Sequence, residues 1–341
     1  MKVGILTGGG DCPGLNAVIR AVARRVSEAG GECVGFLEGW RGLVRGMTKP
    51  LTLDEVEPWL GRGGTVLGSS RTNPYRDPDA DLPRLRRNFA DAGLDALIVV
   101  GGDDTLGVAA RLVNDFDLPI VGVPKTIDND LALVDFSFGF DTAVNVVVES
   151  VERLRTTAES HRRVMIVETM GRSTGWLACF AGIAVGADYV LVPEVPIDVP
   201  HLVSALKRRR EAGRNHAIVL VAEGARRPDP DPGAPQPEDL DPPRPGGVGA
   251  TVARAIERRL DVETRTVVLG HLQRGGAPTA HDRVLATRMG LAAAELVLQR
   301  RLGTVLTLRG GRIGDVPLDS QALAVRPLDL AFYQDAAAFF Y

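Results

Sequence analysis

Lysine is nearly missing from this chain. Of 40 basic residues only four are lysines, at positions 2, 49, 125 and 207, and arginine supplies the rest. Cysteine is scarce too. Cys12, Cys33 and Cys179 are odd in number and far apart, which excludes a disulfide framework and fits a reducing compartment. No apolar run approaches the roughly 18 residues of a membrane span, and the opening residues lack the pattern of an export leader, so the expected location is the cytoplasm. A net charge of −3 gives no excess of one sign, which removes nucleic acid as an expected partner. The basic run Lys207–Arg210 reads as the solvated end of a helix. The five histidines are scattered without metal-site spacing.

What remains is an ordinary globular composition. At 341 residues, 45% hydrophobic and 24% charged, the length suggests two domains. The opening Lys2–Thr7 is a buried-strand pattern that runs into the glycine loop Gly8–Gly14, then into apolar residues at helical spacing from Asn16 to Ala23. Further strands read at 33–36, 96–100 and 119–123, with helices at 82–92 and 105–113 between them. Beyond a long helix at 142–157 a second series begins. Its strands read at 163–168, 189–192, 217–221 and 266–269, and its helices at 175–185, 199–210 and 248–259. Regular alternation of this kind predicts an α/β protein of two Rossmann-like lobes with mostly parallel sheets. The Pro-rich segment 225–247 cannot be helix or central strand and reads as an exposed loop insertion.

The polar clusters sit just after the apolar runs, at the carboxyl edge of parallel strands where ligands bind. Gly101-Gly102-Asp103-Asp104-Thr105 and Pro124-Lys125-Thr126-Ile127-Asp128-Asn129-Asp130 are the two most informative. Glycines admit a phosphate to the backbone, one or two carboxylates suit Mg²⁺, and a further carboxylate can accept a proton. Asp103 serves equally well on paper as the cap of a following helix, and Asn129-Asp130 as an Asx turn. The loop Gly8–Gly14 lacks the GK[ST] of a Walker loop, yet a helix N-terminus behind it still forms an anion site. In the second lobe Met170-Gly171-Arg172, Ala222-Glu223-Gly224 and Gly270–Gly276 each follow a strand, and Arg163, Arg265 and Arg274 add guanidinium groups suited to phosphate.

Together these segments resemble the phosphofructokinases from Gly8 to about Gly290. The matching blocks are Thr7–Asn16, Arg62–Arg71, Gly101–Thr105, Pro124–Asp130, Arg153–Glu168, Met170–Gly175, Pro193–Val195 and Glu263–Met289. The resemblance implies the phosphofructokinase fold, with residues 1–139 plus about 271–322 as the phosphoryl-donor lobe and 140–270 plus about 323–341 as the sugar-phosphate lobe. It implies Asp128 as proton acceptor, Asp103 as the Mg²⁺ ligand, and Arg172 as a further catalytic residue. Contacts to fructose 6-phosphate are implied for Thr126, Ile127, Asp128, Arg163, Met170, Gly171, Arg172, Glu223, Arg265, His271, Leu272, Gln273 and Arg274. In the family the residues matching Arg163 and Arg265 reach in from a neighbouring subunit, so a homodimer or homotetramer with shared sites is expected.

Two departures bear on the donor. Where ATP-dependent members resemble Gly-Gly-Asp-Gly and Pro-Gly-Thr-Ile-Asp, this chain has Asp104 and Lys125. A carboxylate at 104 would fill the place of the α-phosphate of ATP and repel it, by about 4 kcal/mol for like charges about 4 Å apart at an effective dielectric near 20. Lys125, in a chain so short of lysine, places positive charge beside a pyrophosphate. With Gly10 these residues are the expected donor site, and Asp104 is expected to hold Lys125 by ion pairing or hydrogen bonding. The expected reaction is reversible, Mg²⁺-dependent transfer from pyrophosphate to the 1-hydroxyl of fructose 6-phosphate. The alternative is an ATP-dependent phosphofructokinase.

Overall fold

The run Lys2–Thr7 forms strand β1 in the computed structural model, which describes residues 1–226, 247–319 and 323–340. The glycine loop leads to helix α1 (Leu15–Glu28), followed by β2 (Glu32–Phe36), α2 (Trp40–Arg45), β3 (Thr48–Pro50), α3 (Leu53–Val56) and α4 (Pro78–Asp91). Next come β4 (Ala96–Gly101), α5 (Asp103–Phe116), β5 (Ile120–Pro124) and the long α6 (Phe140–His161). The second series is β6 (Val164–Thr169), α7 (Trp176–Val185), β7 (Tyr189–Leu191), α8 (Val199–Glu211), β8 (Ala217–Ala222), α9 (Val248–Glu257) and β9 (Thr264–Val268). Helix α10 (Ala280–Leu298), the hairpin β10 (Thr304–Arg309) and β11 (Arg312–Pro317), and α11 (Leu330–Ala337) complete the described elements. Most of the Pro-rich segment, residues 227–246, lies outside the described residues. No helix among the described residues is long and apolar enough to cross a membrane.

The chain divides into two units, residues 1–142 with 274–325, and residues 143–273 with 326–341. The first holds a seven-stranded sheet in the order β11-β10-β5-β4-β1-β2-β3. Its interior strands pair in parallel, while β3 and β11 pair antiparallel at the two edges. Ile98, Val99, Ile120, Val121 and Val123 are wholly buried, as strands covered on both faces require, which is why they read as continuous apolar runs. The second unit holds a four-stranded parallel sheet in the order β7-β8-β6-β9. Strands β6 and β8 are buried throughout, whereas β9 is an edge strand with Arg265 exposed and Val268 55% exposed.

Candidate active site

In the first unit the strand ends lie level. Thr7 stands opposite Val100, and Gly101 opposite Pro124, so three loops leave one carboxyl edge side by side. Backbone hydrogen bonds fix them there, from Gly8 N to Val100 O (2.9 Å) and from Lys125 N to Gly101 O (3.0 Å). The side chain of Thr105 fills a slot that only glycines leave open. A Cβ on Gly8 would lie 2.7 Å from Thr105 Oγ1, and one on Gly101 would lie 2.4 Å from Thr105 Cβ. The glycine loop and the start of α5 are thereby interlocked.

Helix α5 begins at Asp103 itself. Its N-cap is Gly102, so Asp103 stands inside the first turn and not at the cap position. Both Asp103 and Asp104 fall in the first turn, where backbone N–H groups lack intrahelical partners and the helix end carries partial positive charge. Asp103 is half-buried and Asp104 exposed. No group of three or more His, Cys, Asp or Glu among the described residues gathers into a cation cage. A cation on Asp103 would therefore complete its shell with ligand and water oxygens, as Mg²⁺ commonly does.

Lys125 is only 3% exposed. Its Nζ donates to the Gly10 carbonyl, and it makes no ion pair among the described residues. The expected Asp104–Lys125 pair is thus not made. The lysine points back to the glycine loop, and Asp104 is exposed in the first turn of α5. Burial pushes the Lys125 ammonium below the ordinary lysine range, helped by the charge of Arg274 and opposed by those of Asp128 and Asp11. Arg274, expected among the sugar-phosphate contacts, belongs to this unit. Its Nη1 donates to Asp11 O at 3.2 Å and lies 2.6 Å from where a Cβ on Gly10 would be, so the glycine lets the guanidinium close on the loop. The Cys12 thiol beneath is fully buried, and burial pushes it up to about 12.

The loop carrying Asp128 is closed on itself. Asp128 N donates to Thr126 Oγ1 at 3.0 Å, and Thr126 Oγ1 faces Asp128 Oδ2 at 3.5 Å. Asn129 adopts a left-handed φ of 54° and accepts from Ser137 N (3.0 Å), while Ser137 Oγ accepts from Thr126 N (2.8 Å). Ser137 escaped the sequence reading because a brace eight residues from Asn129 leaves no local signature. Asp128 is 2% exposed, and Ile127 beside it is a fully buried apolar residue that packs in the core.

The second unit repeats the device. Glu168 stands opposite Val221 and Val268, so β6, β8 and β9 also end level. Gly171 (φ 141°) and Arg172 (φ 52°) turn sharply after Met170, leaving Arg172 exposed. Arg172 N donates to Glu223 Oε1 at 3.0 Å, and Glu223 N donates to Thr169 O at 2.8 Å. A Cβ on Gly224 would fall 1.9 Å from Arg172 O, so only glycine allows this approach. His271 and Leu272 are exposed on the turn after β9. Gln273 is fully buried, with Oε1 accepting from Met170 N (3.3 Å) and Nε2 donating to Gly270 O (3.0 Å), so its polar atoms brace the turn.

Arg163 and Arg265 are elsewhere. Arg163 precedes β6 and Arg265 is the second residue of β9, at the amino edge of the sheet. At about 3.3 Å per residue, the six residues of β6 put roughly 20 Å between Arg163 and Met170. The two arginines share Glu263: Arg163 Nε donates to Oε2 at 2.5 Å and Nη2 to Oε1 at 3.1 Å, and Arg265 Nη2 also donates to Oε1. These bonds, with Arg163 foremost, hold the Glu263 carboxyl below its usual range.

Comparison with known proteins bears on both constellations. The family model described as Phosphofructokinase matches residues 2–297. The chain is 52% identical over 347 residues to pyrophosphate–fructose 6-phosphate 1-phosphotransferase of Amycolatopsis methanolica, covering both chains completely. It is 49% identical over 341 residues to ATP-dependent 6-phosphofructokinase 3 of Streptomyces coelicolor, covering 98% of this chain and 99% of that one. Among solved structures, phosphofructokinase of Pichia pastoris in the T-state superposes with a TM-score of 0.83 at 33% identity over 99% of this chain, which spans 36% of that longer one.

Proposed function

Because the chain belongs to the phosphofructokinase family, we propose that it transfers a phosphoryl group reversibly from pyrophosphate to the 1-hydroxyl of fructose 6-phosphate, with Mg²⁺. Relatives carrying pyrophosphate and ATP in their names differ by only three points of identity, 52% and 49%, so the choice of donor rests on the site. The observation that carries it is Lys125. A buried ammonium whose acceptor is one carbonyl costs several kcal/mol of desolvation unless an anion comes to meet it. A pyrophosphate at the glycine loop, ahead of the N-terminus of α5, supplies that anion. Asp104 in the same first turn repels the further phosphate and nucleoside that ATP would bring.

In this reading Asp128 takes the proton of the acceptor hydroxyl, held in place by Thr126 and the Asn129–Ser137 brace. Phosphoryl transfer passes through a loose transition state, so a carboxylate of ordinary basicity suffices and positioning carries most of the rate. Lys125 neutralises charge on the departing phosphate, and Gly10 and Arg274 hold the loop that receives it. Asp103 is the residue fit to hold Mg²⁺, whose chemistry when bound is to neutralise phosphate charge. Met170, Gly171, Arg172, Glu223 and His271 are assigned to fructose 6-phosphate.

Arg163 and Arg265 are assigned to the 6-phosphate of a neighbouring subunit. A span of about 20 Å along β6 keeps them from the Met170–Arg172 turn of their own sheet. That separation supports at least a homodimer with shared sites. The test is direct: fructose 6-phosphate, pyrophosphate and Mg²⁺ should yield fructose 1,6-bisphosphate and phosphate, followed by phosphorus NMR. Absence of bisphosphate with a folded, oligomeric protein would overturn the proposal.

A further inference from the structure

Glu168 is a carboxylate only 1% exposed that none of the proposed steps uses. Its Oε2 accepts from Gly247 N at 3.1 Å and from Gly249 N at 2.9 Å, at the start of α9. A carboxylate there meets backbone donors without intrahelical partners and the positive end of the helix. The approach depends on Gly249, where a Cβ would lie 3.1 Å from the same oxygen and 2.9 Å from Thr266 Cγ2. The main chain at the same point ties down the neighbouring segments. Leu269 N donates to Glu168 O at 3.1 Å, just before the turn with His271 and Gln273, and Glu223 N donates to Thr169 O at 2.8 Å. The carbonyl of Thr169 thus holds Glu223, and the side chain of Glu168 holds Gly247 and Gly249.

We infer that Glu168 is a positioning residue for fructose 6-phosphate. Its carboxylate pins the start of α9 to the end of β6, the same strand end whose Thr169 carbonyl accepts from Glu223 N. Glu223 in turn holds the Met170–Arg172 turn through the bond from Arg172 N to its Oε1. This rests on the assignment of that turn to the sugar phosphate. Glutamine at 168 keeps an acceptor of the same reach but loses the charge that meets the helix end. Alanine leaves both backbone donors without their buried partner.

The experiment compares Glu168→Gln and Glu168→Ala with the wild type, measuring kcat and KM for both substrates and the thermal shift that each substrate gives. In Glu168→Ala the KM for fructose 6-phosphate should rise about tenfold or more, and in Glu168→Gln about threefold, with the KM for pyrophosphate within about twofold of wild type in both. The thermal shift given by fructose 6-phosphate should weaken while that given by pyrophosphate persists. A purely structural role would lower the yield of active enzyme or move both KM values together, and either result overturns the inference. So does a KM for fructose 6-phosphate within about twofold of wild type in both variants. If Glu168→Ala does not fold, Glu168→Gln decides by the same comparison of the two KM values. Failure of the underlying assignment looks different: the wild type itself would not turn over fructose 6-phosphate with pyrophosphate.

Discussion

Lys125 and the Arg163–Glu263–Arg265 group hold positive charge in opposite ways. Lys125 is buried on a backbone carbonyl, without a carboxylate partner among the described residues. The arginines sit at the surface edge of their sheet, and Glu263 partly neutralises both. A buried cation is already dehydrated and gains most from an anion that reaches it. A solvated pair can exchange Glu263 for an incoming phosphate, at little cost when empty. In the proposed reading the donor end of the reaction is therefore preorganised, and the arginine edge is left for the substrate of a second subunit.

The strongest way to break this contrast is at Asp128, inside the preorganised region. Asp128→Asn should lower kcat by about 10²–10⁴ with little change in either KM, measured by steady-state kinetics. A variant within about threefold of wild type would place the base elsewhere. At the surface edge, Arg163→Ala and Arg265→Ala should each raise the KM for fructose 6-phosphate, since a charge-assisted hydrogen bond is worth about 1.5–3 kcal/mol, while the KM for pyrophosphate holds. Mixing Asp128→Asn with Arg163→Ala subunits should restore some activity, because hybrids regain intact sites. No recovery after verified exchange counts against sharing.

Asp104→Gly should raise use of ATP several-fold by removing a repulsion of about 4 kcal/mol at most. Lys125→Gly should mainly harm the pyrophosphate reaction. No ion pair joins the two residues, so their effects on pyrophosphate turnover should add to within about 0.5 kcal/mol. Strong non-additivity would reveal a pair formed only with donor bound.

The pH dependence sharpens the contrast further. A base whose folded pKa is lowered binds fewer protons folded than unfolded. The stability of the free protein should therefore rise with pH as Lys125 loses its proton, while kcat/KM for pyrophosphate falls over the same range, below the ordinary lysine value of 10.5. Lys125→Arg, always charged, should remove that alkaline limb. A limb unchanged in Lys125→Arg would assign it to another group.

Much of this was legible in the sequence because parallel strands buried on both faces read as apolar runs, and ligand residues follow their ends. Asp103, Asp128, Met170 and Glu223 were singled out by that rule, and each stands just beyond the end of a parallel strand. The hairpin strand β11 was not, since an edge strand mixing Arg312 and Asp315 with Ile313 and Val316 reads as loop. Ser137, the bracing by Gln273 and the swing of Arg274 onto the glycine loop rest on hydrogen bonds between residues 8 to 263 positions apart. No spacing rule records such contacts. The supposed Asp104–Lys125 pair failed because the sequence gives adjacency to a strand end but not the direction of a side chain. Lys125 found a nearer acceptor at Gly10.

The choice of donor is the central claim, and one ratio tests it. With saturating fructose 6-phosphate and Mg²⁺, kcat/KM should be measured for pyrophosphate and for ATP on the same wild-type preparation. A repulsion of about 4 kcal/mol corresponds to a preference for pyrophosphate of up to about three decades. Equal or better use of ATP would contradict the reading of Asp104 and Lys125 and leave an ATP-dependent phosphofructokinase in its place.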